Sequence, residues 1–221
     1  MSKKIVWDAA GDKRYERGVS KGVLFPTKTD GSYDIGVAWN GLTNVNESPD
    51  GGEATDMWAD NIKYGTLRSV ENHKGAIEAD TSPAKCAECD GTAEPVPGLR
   101  LGQQTRKPFG LSYRTEIGSD SNPELGYKIH LVYGATASPS EKTHETVNDS
   151  SDISPISWDY ETVPVAVEGY KPVAHLEIDS TKVDPTNLAK LEAKLYGSET
   201  TDPQLPMPAE VISMLTTAEG T

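Results

Sequence analysis

Apolar and polar positions alternate with a period of two through Tyr127-Lys128-Ile129-His130-Leu131-Val132-Tyr133: Tyr127, Ile129, Leu131 and Tyr133 fall on one side, Lys128 and His130 on the other. That period puts one face of a strand against a core and the other in water. The same alternation runs through 109–117, and the Ser-, Asp-, Asn- and Pro-containing segment 118–126 joins the two stretches into a long hairpin. Further strands are predicted at 35–39, 66–70, 74–79, 156–162, 163–167 and 173–178, with Pro164 suited to an edge or a bulge. One helix is well signposted, with Asp184 as N-cap, Pro185 at the first helical position, Leu188, Leu191 and Leu195 on one stripe, and Gly197 just past the end. Its narrow apolar stripe suits the outside of a sheet. A second, shorter helix fits 209–215, after Pro203, Pro206 and Pro208. The stretches 44–60 and 137–154 are polar and turn-rich, which marks them as loops or arms long enough to have a function.

Composition sharpens this picture. The 221 residues are 35% apolar and include 20 Gly and 15 Pro, a punctuation that favours short strands and turns over long helices. No repeat, linker or shift of composition divides the chain, so the expected architecture is a single domain, 1–221. It is mainly β, with two packed β-sheets in a sandwich or open barrel, a flanking α-helix and long loops or arms. The net charge of −13 is repelled by phosphates and by anionic lipid, which excludes proteins that grip nucleic acid or lie on such membranes. No apolar run reaches the length of a membrane-spanning helix or of a signal-peptide core, so a soluble protein that starts in a cytoplasm is expected.

The chemistry-bearing residues are sparse. Cys86 and Cys89 have C-x-x-C spacing, but His73, His130, His144 and His175 are scattered singly, and the flanking Pro83, Gly91 and Pro95 do not suit a redox motif opening a helix. A structural role for the pair is the leading reading, and a metal or redox site the minor one. No nucleophile-elbow, zincin, phosphate-loop or dinucleotide motif is present. Asp179 and Asp184 have turn and capping roles, and 148–152 lacks the spaced register of a calcium loop. Arg100, Arg106, Lys107 and Arg114 form a concentrated group of cations, best suited to a neighbouring acidic surface. Trp7, Trp39, Trp58 and Trp158 are too dispersed for a base-stacking platform. No catalytic residue and no cofactor site emerges, which leaves the surface as the functional product.

Several segments resemble the major tail proteins of long-tailed bacteriophages, the subunits of the tail tube. These include Lys4-Ile5-Val6-Trp7-Asp8, Tyr15-Glu16-Arg17-Gly18-Val19, Gly22-Val23-Leu24-Phe25-Pro26, Gly36-Val37-Ala38-Trp39-Asn40-Gly41-Leu42, Ala59-Asp60-Asn61-Ile62-Lys63-Tyr64, Gly126 to Gly134 and Ile178 to Asp184, in order over nearly the whole chain. The resemblance implies a tail-tube fold, no enzymatic activity, and assembly into rings, typically hexameric, that stack into a hollow tube in the virion tail. DNA would pass through without specific binding. It also implies partners: further copies of the chain itself, and the tape measure, tail terminator and tail tip proteins. On this reading 44–60 is an inter-ring stacking loop, 184–197 the flanking helix and 198–221 a C-terminal arm, and the hairpin 109–133 lines the lumen. Trp7, Trp39, Trp58, Tyr127, Tyr133, Arg106 and Arg114 are the expected assembly residues. The alternatives are a receptor- or carbohydrate-binding β-sandwich of a virion and a small C-x-x-C metal or redox protein.

Overall fold

The computed structural model of the chain describes residues 4–5, 7–69, 71–140, 144, 146 and 155–216. The expected class holds: the chain is mainly β, with 46% strand and 12% helix. In chain order the elements are β1 (Arg14–Pro26), β2 (Val37–Trp39), β3 (Leu42–Glu47), β4 (Asp50–Gly51), β5 (Ala54–Ala59), β6 (Ile62–Arg68), β7 (Glu71–Asn72) and β8 (Lys74–Ala79). There follow α1 (Cys86–Cys89), β9 (Ala93–Val96), β10 (Leu99–Leu101), β11 (Phe109–Ser119), β12 (Gly126–Ala137), β13 (Ile156–Thr162), β14 (His175–Asp179), α2 (Pro185–Tyr196) and α3 (Pro208–Leu215).

The main sheet runs β2-β1-β11-β12-β13-β8-β3, antiparallel at each step, with β14 added to β12 off this path. Its two end strands are consecutive in the chain, joined through Asn40-Gly41, so the sheet must curl until its ends meet. They meet at Gly22 of β1, where a Cβ would lie 2.3 Å from Leu42 Cδ1 and 3.0 Å from the Trp39 carbonyl oxygen. β12 forks: 128–132 pair with β14 and 135–137 pair with β13. The divergence falls at Gly134, whose φ of +59 and a hypothetical Cβ 2.5 Å from the Val163 carbonyl oxygen together call for glycine.

Strand alternation divides the apolar residues into two cores. Inside the curl lie Leu24, Trp39, Ile77, Phe109, Leu111, Val132, Trp158 and Tyr160. On the outer face Val23, Phe25, Ile129, Leu131 and Tyr133 meet Leu188, Leu191 and Leu195 of α2, together with Leu205 and Val211. Burying each of these leucines removes enough apolar surface to contribute roughly 1.5–3 kcal/mol, which makes α2 an integral wall of the molecule. Its ends are as expected: Asp184 accepts from the Thr186 and Asn187 backbone N–H groups, and Gly197 has a φ of +76.

Several expectations need correction. β11 and β12 are covered by the inner core on one face and by the helices on the other, so Phe109, Leu111, Ile129 and Leu131 are wholly buried and cannot line a lumen. The stretch 44–60 is not a loop: it contains the end of β3 and all of β4 and β5. Residues 163–167 form only an isolated bridge, Val165 with Val173. β1, the longest strand, has no counterpart among the predicted elements. Most of 141–154 and all of 217–221, including parts of the expected loop 137–154 and C-terminal arm, lie outside the described residues.

Candidate functional site

Two features stand out from the body: an arm and a histidine cluster at its root. The arm leaves β3 after Glu47 and returns to β8 through His73. Near its base β4 pairs with β7, and Lys74 Nζ lies 2.9 Å from Asp50 Oδ2. Beyond this β5 and β6 form a hairpin whose turn residues Asp60 and Asn61 have φ values of 50 and 64, as a two-residue type I′ turn requires. No residue of either strand is buried. Register puts Thr55, Met57, Ala59, Ile62, Gly65 and Leu67 on one face, an almost wholly apolar surface in water. The other face carries the Asp56–Lys63 ion pair at 2.7 Å, a bond from the Thr66 hydroxyl to Asp56, and Trp58, which is 68% exposed. Such a two-stranded ribbon is marginal in water by itself.

At the root, the curl brings together three of the four histidines. His130 on β12 and His175 on β14 share the inner face, and His73 and Glu47 reach them from the two ends of the arm. Tyr113, His130 and His175 stack in succession, with centroids 4.6 and 5.4 Å apart, and His73 stacks on His175 at 4.8 Å. His130 Nδ1, His175 Nε2 and Glu47 Oε1 form a triangle with sides of 3.2, 3.3 and 3.5 Å. His73 offers a further nitrogen within 4.8 Å of the Glu47 and His175 donor atoms. Behind His130, Nε2 is 3.2 Å from Glu16 Oε1 and 3.0 Å from the Thr115 hydroxyl, and Lys128 Nζ is 2.6 Å from the other Glu16 oxygen. Tyr113 donates to Glu47 Oε1.

Electrostatics prepare these groups unequally. Hydrogen bonding from His130, ahead of that from Tyr113 and against the opposing effect of burial, holds the Glu47 carboxyl down to about 2. Burial pushes the His175 imidazole down to about 4 and lowers His73 as well. At neutral pH the Glu47–His175 contact is therefore a carboxylate beside a neutral ring, not an ion pair.

Cys86 and Cys89 lie on α1, buried in the inner core as free thiols. Burial raises both thiol pKa values, Cys89 to about 12. Among the described residues the cluster of possible metal-holding groups is the one at Glu47, His73 and His175, and it does not include the cysteines.

The expected assembly residues separate into two groups. Trp7 and Trp58 are exposed and available. Trp39 is buried, donating its indole N–H to the Thr81 carbonyl at 2.8 Å and packing edge-on against Trp158, and Tyr133 is buried with its hydroxyl on the Pro206 carbonyl. Neither has a surface to offer a partner. Tyr127 and Arg114 engage each other, the guanidinium 3.5 Å above the ring, while Arg106 donates to the Ala137 carbonyl. The singly scattered histidines are a further correction: positions 73, 130 and 175 converge through the pairing of β12 with β14 and the return of the arm. The residue types flagged the chemistry, but only strand register could reveal the meeting. No known family model matches the chain, and no curated protein is found similar to it.

Proposed function

We propose that this chain is a structural, non-enzymatic subunit that assembles with copies of itself into stacked rings, forming the tail tube of a long-tailed bacteriophage. The observation that carries the reading is the β5–β6 arm. A projecting ribbon with Met57, Ile62 and Leu67 on one exposed face is incomplete in isolation, and a neighbouring copy would cover it. The segmental resemblance to major tail proteins supplies the kind of assembly, and the net charge of −13 suits a conduit that DNA traverses without adhering. The tape measure, tail terminator and tail tip proteins would be its partners in the virion. Lining of the lumen falls to surfaces other than the covered centres of β11 and β12.

Negative-stain microscopy of the purified protein tests the reading. Rings or tubes are expected, and a triple variant Met57→Ser, Ile62→Ser, Leu67→Ser is expected to remain monomeric with an unchanged circular dichroism spectrum. A wild-type protein that stays monomeric at high concentration would overturn it.

A further inference from the structure

We propose that Glu47, His130 and His175, with His73 as the fourth ligand, form a binding site for one divalent transition-metal ion of the zinc class. The argument begins with spacing. Ligands at zinc–nitrogen and zinc–oxygen distances around a tetrahedral ion lie about 3.3–3.6 Å apart. The triangle of His130 Nδ1, His175 Nε2 and Glu47 Oε1 has sides of 3.2, 3.3 and 3.5 Å. Three imidazoles and one carboxylate are also the donor set that a borderline ion prefers over calcium or magnesium, which take oxygen.

The surroundings supply the second argument. A metal-bound imidazole ordinarily gives its other ring N–H to a carboxylate, which fixes the tautomer and raises the basicity of the ligating nitrogen. His130 has the carboxylate for that arrangement: Nε2 faces Glu16, itself held by Lys128, and an ion in the triangle would displace the proton that Nδ1 shares with Glu47. The ligating carboxylate is likewise oriented, by the Tyr113 hydroxyl. His130 is nearly enclosed, at 5% side-chain exposure, whereas Glu47 keeps 32%, so an ion can enter from the Glu47 side. His130 and His175 stack near-parallel, at 11°, so capture of an ion would turn both towards the centre of the triangle.

The ligands come from β3, from the β7–β8 junction, from β12 and from β14. An ion would thus tie the forked arm of the sheet to both roots of the projecting hairpin. This inference does not depend on the assembly reading.

Titration of the chelator-treated full chain with Co2+, followed by competition with Zn2+, tests it. One Co2+ per chain with tetrahedral visible absorption and no thiolate charge-transfer band is expected. A Cys86→Ser, Cys89→Ser variant should bind identically. Glu47→Gln and His175→Ala, both at partly exposed positions, should lose binding while retaining the wild-type circular dichroism spectrum. Glu16→Gln, which touches no ligand atom of the triangle, should weaken affinity about 10- to 100-fold. If either ligand variant fails to fold, the Glu16→Gln shift and the cysteine control still decide. Absence of stoichiometric Co2+ uptake by the wild type, unchanged affinity in Glu16→Gln, or binding that requires the cysteines would overturn the proposal.

Discussion

Cys86 and Cys89 illustrate how environment overrides a motif. C-x-x-C spacing invites a redox or metal reading, yet both thiols are enclosed among Leu24, Trp39 and Trp158, and burial disfavours the thiolate that either chemistry requires. Alkylation of the native protein by iodoacetamide at pH 8 should therefore be slow and become fast once urea exposes the chain, whereas rapid native labelling would contradict the buried arrangement. The linkage has a definite sign. Because the folded thiols stay protonated where unfolded ones ionise, stability should fall as pH rises past the ordinary thiol range of about 8.5. Chemical denaturation midpoints at pH 7.5 and 9.5 would measure the fall, and Cys86→Ser, Cys89→Ser should flatten it. The histidines teach the opposite lesson. Nothing in the spacing of His73, His130 and His175 marks them as neighbours, since alternation assigns His130 to a wet face and gives no hint that β14 and the arm close over it.

Elements were legible where their causes are local. α2 begins and ends as its cap residues dictate, because the Asp184 side chain, Pro185 and Gly197 act within one turn of the helix. Asp184→Ala should cost about 1 kcal/mol, and Leu191→Ala, which empties a site at 0% exposure, about 2–5 kcal/mol; urea unfolding would measure both. Equal losses for the two would mean that α2 does not seal the outer core. β8 and β13 were likewise readable, their alternation being clean. β1 was not, since its first eight residues, Arg14 to Lys21, are exposed or half-buried and carry no period-two signal, and only its pairing with β11 extends it. The β5–β6 hairpin is only half legible for a related reason: with both faces in water its sequence is mixed, so the strand expected at 66–70 overlaps β6, while β5 and Asp60 fall within the expected loop 44–60.

At the scale of the whole molecule, a curled sheet sealed by helices carries an arm that contributes little to either core. Replacing residues 52–70 with Asn-Gly, so that β4 and β7 close as a short hairpin, should leave the melting temperature within about 4 °C of the wild type while abolishing rings and tubes. Unfolding of the shortened chain would show that the arm belongs to the core, and tubes formed without it would remove the arm from assembly. The class of the fold could be read from punctuation and alternation, but the fork of β12, and hence everything that gathers beneath it, depends on long-range register. Glu47 and His73 stand at the two feet of the arm, on either side of the hairpin and nowhere along it. That position makes the pair a fulcrum. The β5 and β6 strands alone reach about 20 Å, so a turn of about 10° at the feet would sweep the Asp60-Asn61 tip through at least about 3–4 Å. Whatever sets the geometry of four side chains inside the curl of the sheet therefore aims a tip far outside it.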